Sequence, residues 1–287
     1  MREREIAMYR VLKKLELAPN VKLLKVEAPE VARKAKTGQF VIIRIDEKGE
    51  RFPLTLVERE PKEGTITLIF QEVGLSTIKL GALEIGNEIL DVVGPLGNPS
   101  EIKNYGLVAV VCGGTGTAVA YPIAKALKEA GNQVVSIIGA RTEELLILED
   151  EMRNISDELY VSTDDGSKGH KGFVSDVLKM LIEKGYRFDL AYAIGPTLMM
   201  RATANVTRPH SIKTVVSLNP IMVDGMGMCG ACRVTVGGET KFACLDGPEF
   251  DGHLVDFDEL IKRQRVYLSE EKQAVELYEK SGEIKRG

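Results

Sequence analysis

The stretch from Gly106 to Val216 constrains the fold more than any other part of the sequence. Its first apolar run, LVAVVC, ends in the glycine-rich turn GGTG and leads into the helix-like segment TAVAYPIAKALKEA. The later runs VVSIIGA and LAYAIG repeat the strand pattern, and FVSDVLKMLIEKG is amphipathic. Strands that alternate with helices predict a parallel sheet covered by helices on both faces. We therefore expect a doubly wound α/β domain over residues 101–220.

The preceding residues, 1–100, lack this alternation. They contain short β-rich runs separated by Gly, Pro and polar turns, namely VKLLKVEAP, QFVIIRID, PLTLVER, TITLIFQEV and NEILDVVG. No helix-period segment of comparable length separates these runs, so the pattern predicts a small antiparallel β-barrel. After the α/β domain come a glycine- and cysteine-rich module, 221–252, and a charged tail, 253–287, which we expect to be helical with a break near Ser269.

Charge and composition exclude several functional classes. Lys and Arg number 38 against 42 Asp and Glu, which gives a formal net charge of −4. A nucleic-acid-binding protein would show a basic face, and no long basic run is present. The first residues, MREREIAMYRVLKKLELAP, offer no apolar stretch long enough for a signal peptide or a membrane span. We expect a cytoplasmic protein that binds neither nucleic acid nor membranes.

The glycine-rich turn at Gly113, Gly114 and Gly116 is a candidate nucleotide-binding loop. Glycine lets the backbone approach a pyrophosphate, and the positive end of the following helix dipole favours its charge. The strict spacing of the dinucleotide fingerprint is absent and no Walker-type lysine follows. A tight strand–helix connection without a ligand is therefore the alternative. Cys112, at the end of the strand, is expected to be a buried apolar residue and not a reactive thiol.

A cluster of potential metal ligands lies near the C-terminus. Asp224, Cys229, Cys232 and Cys244 form the pattern D-x4-C-x2-C-x11-C. A Cys in the first position would complete the plant-type spacing of 2Fe-2S ligands. The small residues between the ligands allow a loop to wrap closely around a cluster, and Asp224 is the natural fourth ligand. The alternative is structural zinc, which also accepts three thiolates and a carboxylate, although the isolated Cys244 suits the iron-sulfur arrangement better.

Read together, these segments resemble the ferredoxin-reductase superfamily over nearly the whole chain. The resemblance is to the branch that holds the electron-transfer subunits of dihydroorotate dehydrogenase. It is closer to the small subunits of NADH-dependent reduced ferredoxin:NADP oxidoreductases, also called sulfide dehydrogenase subunit beta. The most specific stretch is SLNPIMVDGMGMCGACRVTVGGETKFACLDGPEFDGHLVDFDEL. Its aspartate at the first ligand position matches the latter group.

The resemblance implies an FAD site in the barrel. In RFPLT the arginine would neutralise the FAD pyrophosphate, and the hydroxyl of Thr55 would approach flavin N5, which makes Thr55 the expected catalytic residue. The segment VGLST is similar to a second phosphate-binding turn. The implied FAD contacts are Arg51, Pro53, Leu54, Thr55, Gly74, Ser76 and Thr77.

The resemblance also implies a nucleotide site in the α/β domain. The segments GARTEE and STDDGS would surround the nucleotide, and AIGP would face the nicotinamide. Arg141 could pair with a 2′-phosphate, but the neighbouring carboxylates favour NADH over NADPH. The implied contacts are Gly114, Thr115, Gly116, Arg141, Asp165, Gly195 and Pro196.

The expected activity is electron transfer from NAD(P)H through FAD to the 2Fe-2S cluster. Such a protein positions cofactors and needs no acid–base pair, which agrees with the presence of only three histidines. The resemblance implies a larger partner subunit with its own flavin and 4Fe-4S clusters, through which ferredoxin is reached, and an assembly that can bifurcate electrons. The apolar positions of the tail either contact that partner or pack on their own domain.

The sequence also allows two alternative functions. One is the electron-transfer subunit of a dihydroorotate dehydrogenase, or of a paralogous complex with another second substrate; Asp224 argues against the former, whose corresponding ligand is normally Cys. The other is a zinc-stabilised nucleotide-binding or redox-sensing protein, which predicts that no FAD is bound.

Overall fold

The computed structural model describes residues 9–281, and its first third, through Leu96, is an antiparallel barrel. The order of strands around the sheet is β6-β1-β2-β5-β4-β3-β7. Only Leu90 separates β6 from β7, so the two ends of the sheet are joined by the chain itself and the barrel is nearly closed. The strands are β1 Tyr9–Ala18, β2 Val21–Glu27, β3 Phe40–Arg44, β4 Phe52–Glu60, β5 Thr65–Gln71, β6 Glu88–Ile89 and β7 Asp91–Leu96.

Strand β3 is buried on both of its faces. Val41 and Ile43 belong to the barrel core, whereas Phe40 and Ile42 pack against the cysteine-rich module outside it. Successive side chains of a strand point to opposite faces, so one strand contributes to two cores. This explains why the run FVII contains no polar residue.

Two short helices interrupt the barrel strands, α1 Pro29–Lys34 and α2 Leu75–Ala82. The sequence pattern predicted only turns between these strands. Each helix has at most eight residues, which is barely two turns and too few for a helical period to show in the sequence. Helix α2 begins inside the segment VGLST, so this segment is a helix start and not an isolated turn.

The chain from Leu107 to Asp251 contains a parallel sheet with helices on both faces, as predicted. Its strand order is β11-β10-β9-β8-β12-β13-β16, and only the pairing of β13 with β16 is antiparallel. Helices α3 and α4 cover one face and α5 and α6 the other. The strands are β8 Leu107–Gly113, β9 Gln133–Ala140, β10 Glu158–Thr163, β11 His170–Lys171, β12 Leu190–Ile194, β13 Lys213–Ser217 and β16 Glu249–Asp251; the helices are α3 Gly116–Glu129, α4 Glu149–Ile155, α5 Val174–Glu183 and α6 Thr197–Thr207, with 3-10 turns at Glu143–Leu145 and Arg208–His210.

The cysteine-rich module lies between β13 and β16. It contains the hairpin β14 Arg233–Val236 and β15 Glu239–Phe242, followed by the short helix α7 Ala243–Asp246. The last strand of the α/β sheet, β16, directly follows this module in the chain. The module is thus attached to the α/β sheet at one end and packs on the barrel strand β3 at the other.

The tail forms two helices, α8 Phe257–Gln264 and α9 Leu268–Lys280, so the predicted break near Ser269 lies just before that residue. Phe257 and Leu260 of α8 are buried against the α/β domain, and this part of the tail packs on its own domain. Helix α9 contacts α2, where Lys79 Nζ lies 5.3 Å from the centre of the Tyr278 ring.

The link between barrel and α/β domain is bonded to the segment that follows Cys244. The Asn98 amide nitrogen donates to the Gly247 carbonyl at 2.7 Å, and Ser100 Oγ donates to Glu249 Oε1 at 2.5 Å. Tyr192 of β12 donates to the other carboxylate oxygen of Glu249 at 3.2 Å. Burial raises the pKa of Glu249 despite these bonds.

The fold is therefore the predicted barrel plus doubly wound α/β arrangement. No helix within residues 9–281 combines the length and the apolar composition that a membrane span requires.

Candidate functional site

The predicted nucleotide loop lies where the parallel sheet reverses its strand order. Strand β8 is flanked by β9 on one side and β12 on the other, so the loop after β8 and the turn at Gly195–Pro196 after β12 meet at the carboxyl edge of the sheet. Ligands of open α/β sheets bind at such a switch point. A Cβ atom on Gly116 would collide with the carbonyl oxygen of Ile194, so glycine here lets α3 start directly against β12.

One cavity of about 470 Å³ opens beside this loop on the α/β domain. Arg141 and Asp164 line it, together with the exposed ring of Phe173. Asp165 does not line it; its carboxylate accepts hydrogen bonds from the Ser167 amide and hydroxyl at 2.9 and 2.7 Å, and these bonds lower the pKa of Asp165. Of the two neighbouring aspartates, Asp164 is therefore the one that faces the cavity.

A second cavity, of about 460 Å³, lies between the barrel and the α/β domain. The barrel contributes Pro53, Leu54 and Thr55 from β4, whose residue Thr55 pairs with Phe40 of β3. The two cavities share part of their walls. The shared residues are Gln71, Gly113, Gly114, Thr115 and Pro196.

Three of the implied FAD contacts are not among the residues that line this cavity, namely Arg51, Gly74 and Ser76. Ser76 Oγ donates to the carboxylate of Glu50 at 2.7 Å. Thr77 does line the cavity, and its hydroxyl also caps α2 by accepting from the amides of Val73 and Gly74 at 3.0 and 3.1 Å. No heavy atom lies within 4 Å of the position that a Cβ on Gly74 would occupy, so open space adjoins the backbone at the start of α2.

Two glycines at helix starts suit the phosphates of a dinucleotide. A Cβ on Gly114, whose φ is +57°, would also meet nothing within 4 Å. Backbone thus borders open space at Gly114, just before the first turn of α3, and at Gly74, just before that of α2. Helix N-termini favour phosphate through their amides and their dipole.

The cysteine-rich loop is organised by Asp224. Asp224 Oδ1 accepts from the Met226 amide at 2.9 Å, and Oδ2 accepts from the Met228 and Cys229 amides at 3.0 and 2.8 Å. These backbone bonds lower the pKa of Asp224. The carboxylate, although half-buried, is therefore a charged group placed beside Cys229.

The other two ligand candidates form a buried pair. The Sγ atoms of Cys232 and Cys244 are 3.2 Å apart, and each residue is 2 % exposed. Burial, followed by the hydrogen bond with Cys232, raises the pKa of Cys244 to about 12. Cys229 is exposed, so the four residues divide into an inner pair, Cys232 and Cys244, and an outer pair, Asp224 and Cys229.

The chemistry of these four residues fits a 2Fe-2S cluster. Such a cluster needs two pairs of ligands, one for each iron, and thiolates are its usual donors. Cys232 and Cys244 would hold one iron, and Asp224 and Cys229 would hold the other.

Cys112 differs from these three cysteines. It is fully buried at the end of β8, and burial raises the pKa of its thiol to about 12. The prediction that it is an apolar core residue is confirmed.

Comparison with known proteins identifies the family. The family described as the iron-sulfur cluster binding domain of dihydroorotate dehydrogenase B matches residues 219–256, and the oxidoreductase NAD-binding domain matches residues 110–205. A dihydroorotate dehydrogenase B electron-transfer subunit homologue from Thermotoga maritima is 51 % identical over 275 residues, which is 96 % of this chain and 97 % of the relative. The chain belongs to the family of dihydroorotate dehydrogenase B electron-transfer subunits and their homologues.

Other members of the family are also similar. A probable electron-transfer subunit from Methanopyrus kandleri is 36 % identical over 77 % of this chain and 81 % of its own length. The solved structure of an NADH-dependent reduced ferredoxin-NADP oxidoreductase, which concerns flavin-based electron bifurcation, contains a chain that is 50 % identical with a TM-score of 0.90. The alignment covers 96 % of this chain and 99 % of that one.

These matches confirm the predicted class and cofactors. The protein is an electron-transfer subunit of the flavin and iron-sulfur oxidoreductase type, and its cofactors are FAD, a 2Fe-2S cluster and NAD(P)H. A zinc-stabilised, non-enzymatic binding protein is excluded.

Sequence reasoning missed several residues of the two cavities, among them Phe40, Gln71, Phe173, Met222 and Pro248. They come from five separate segments and carry no local motif. The uninterrupted apolar run of β3 was the one available signal, since it indicates that both faces of the strand are covered.

Proposed function

We propose that this subunit receives electrons from NADH at its FAD and passes them through its 2Fe-2S cluster to a larger partner subunit, within a ferredoxin:NADP oxidoreductase. The observation that carries the proposal is the wall shared by the two cavities at Gly113, Gly114 and Thr115. A nucleotide in one cavity and a flavin in the other would be neighbours across this loop. The bound flavin would supply the chemistry that accepts a hydride and releases electrons singly.

The chain's own contribution is positioning. Pro53, Leu54 and Thr55 form part of the barrel side of the second cavity, which we assign to the flavin. We assign Thr55 the role of a hydrogen-bond partner for the reacting edge of the flavin. Arg51 is exposed and directly precedes β4. We propose that its guanidinium pairs with the FAD pyrophosphate, since arginine suits phosphate groups.

The nucleotide preference follows from the charges of the first cavity. Asp164 lines it beside Arg141, and Glu143 and Glu144 follow in the next turn. A carboxylate accepts hydrogen bonds from a ribose 2′-hydroxyl and repels a 2′-phosphate. We therefore propose NADH as the preferred nucleotide.

The partner is proposed from the relatives and from the exposed face of the module. Relatives of this chain are named as subunits, and one solved relative is a ferredoxin-NADP oxidoreductase. Met226, Met228 and Leu245 are 51, 83 and 51 % exposed near the outer pair. We propose that a larger subunit with its own flavin and 4Fe-4S clusters docks there, that ferredoxin reacts through it, and that the assembly bifurcates electrons.

The proposal is tested by anaerobic titration of the purified protein with NADH and, separately, NADPH. Absorbance reports flavin reduction and electron paramagnetic resonance reports the reduced cluster. Flavin bleaching at lower NADH than NADPH concentration, with a reduced 2Fe-2S signal, is the expected result. Failure of both nucleotides to bleach the flavin contradicts the proposal.

A second candidate, the electron-transfer subunit of a dihydroorotate dehydrogenase, is favoured by the match of residues 219–256 to that family. The complex purified with its natural partner distinguishes the two. NADH-dependent exchange with NADP and ferredoxin supports our proposal, whereas reduction of orotate by NADH without ferredoxin turnover supports the second candidate.

A further inference from the structure

Phe40 takes part in both redox sites. It pairs with Thr55 across β3 and β4 and lines the second cavity, between barrel and α/β domain, which we assign to the flavin and call the flavin-side cavity. It also packs in the apolar cluster that contains Cys232 and Cys244, and only 3 % of it is exposed. Its side chain therefore lies between the cavity and the inner pair of ligands.

Met222 occupies the same kind of position from the other side. It lines the flavin-side cavity and belongs to the same apolar cluster as the inner pair. The chain reaches Met222 directly before the loop that starts at Asp224, so this residue joins the cavity wall to the ligand loop in sequence as well as in space.

The position of the Phe40 ring is fixed by its neighbours. A Cβ on Gly97 would lie 2.7 Å from a carbon of the ring and 3.1 Å from Pro248 Cδ. Glycine at this point, with a φ of +76°, leaves the space that the ring fills. A side chain packed this closely has few other rotamers available. At this point the aromatic ring of Phe40 therefore sets the separation between the cavity and the inner pair of ligands.

We propose that Phe40 and Met222 form an apolar partition that separates the flavin from the Cys232–Cys244 end of the cluster, keeps water from that end and sets how closely the two cofactors approach. This inference rests on the proposed function. In the step concerned, one electron leaves the reduced flavin and one iron changes from ferric to ferrous. No bond forms or breaks, so Phe40 and Met222 are positioning residues.

The partition has a consequence that can be measured without turnover. A 2Fe-2S cluster gains negative charge when it is reduced, and water stabilises that added charge. The apolar shell and solvent access around a metal site therefore influence its potential. A breach at Phe40 should shift the cluster potential in the positive direction.

The test compares the unsubstituted protein with three variants, each with FAD and cluster bound. The variants are Phe40→Ala, Phe40→Leu and the control Ile43→Ala. Ile43 lies on the opposite face of the same strand, in the barrel core, so its truncation leaves a cavity without opening the partition. The cluster potential is measured by titration followed by electron paramagnetic resonance, and iron release to a chelator is timed. We expect Phe40→Ala to raise the potential and to release iron several-fold faster, Phe40→Leu to do both to a smaller extent, and Ile43→Ala to leave the potential unchanged.

Two results would overturn the inference: a potential in both Phe40 variants equal to that of the unsubstituted protein, or an equal shift in Ile43→Ala. If Phe40→Ala does not fold, Phe40→Leu decides the question alone by the same comparison with Ile43→Ala. Failure of the proposed function is seen separately, because it appears in the unsubstituted protein as a flavin that neither nucleotide bleaches.

Discussion

The two glycine-rich loops of this subunit hold their shapes in different ways. The loop from Gly113 to Gly116 joins β8 to α3, and its backbone packs directly on the backbone of the turn after β12. The loop from Asp224 to Cys229 contains no regular structure and is shaped by one carboxylate that accepts three amide hydrogen bonds. Folding of the α/β sheet therefore determines the first loop, whereas a single side chain determines the second.

The difference matches the ligands that we propose for the two loops. A dinucleotide needs exposed backbone, which glycine in a rigid strand–helix junction supplies. A cluster needs several side chains brought to two iron atoms, which requires a loop that can wrap. In the first loop, one substitution should lower the free energy of unfolding and another should weaken nucleotide binding. In the second loop, one substitution should affect both the loop structure and cluster binding.

Gly116→Ala should have the largest effect on stability. The added Cβ would collide with the Ile194 carbonyl oxygen and crowd Gly195, and backbone cannot turn aside as a flexible side chain can. Overpacking of this kind costs about 1–3 kcal/mol or more. Urea denaturation of the holoprotein should show the lower free energy of unfolding. An unchanged midpoint would mean that the β8–α3 junction is not rigid and can move away from the turn after β12.

Asp224→Ala comes next, and it should lose the cluster. The substitution removes a proposed ligand together with three amide hydrogen bonds to a carboxylate, each of which is worth about 1 kcal/mol or less in an exposed loop. Iron and sulfide content and the reduced-cluster spectrum are the measurements. Asp224→Cys is the matched control and should keep a 2Fe-2S signal with an altered potential. An Ala variant with full iron content and an unaltered spectrum would remove Asp224 from the ligand set.

Gly114→Ala should affect binding more than folding. The residue has a φ of +57°, so a side chain there costs about 1–2 kcal/mol of backbone strain. The added methyl group would meet no protein atom and would project into open space beside both cavities. We expect weaker binding of NADH, measured by titration, with a modest loss of unfolding free energy. Unchanged NADH affinity would place the nucleotide away from this loop.

The elements of the fold that could be predicted from sequence are those whose signals lie next to one another in the chain. The β8–α3 junction was predicted because apolar strand, glycine turn and amphipathic helix are contiguous. Strand β1 was not among the predicted runs, because its burial pattern is irregular and most of its residues are charged or exposed. Helices α1 and α2 were missed because they are too short to show a period.

The candidate site was predictable only where a motif carries it. The motif RFPLT led to Pro53, Leu54 and Thr55, which line the flavin-side cavity, and also to Arg51, which does not. The role of Phe40 could not be predicted, since it depends on packing between β3 and a module almost 200 residues later in the chain. The three amide bonds of Asp224 depend on the loop conformation, which spacing alone does not specify.

Thr55→Val should have the smallest effect on folding and thereby tests chemistry apart from loop shape. Valine has nearly the volume of threonine, and Thr55 is half-buried on the cavity wall, so we expect FAD and cluster to be retained with stability changed by about 0.5 kcal/mol or less. Loss of the hydroxyl should slow flavin reduction by NADH, measured by stopped-flow absorbance. Thr65→Val is the matched control, because the buried Thr65 hydroxyl has no hydrogen-bond partner among the described residues and its loss should leave the rate unchanged. Equal rates in Thr55→Val, Thr65→Val and the unsubstituted protein would show that the flavin is reduced without help from the Thr55 hydroxyl.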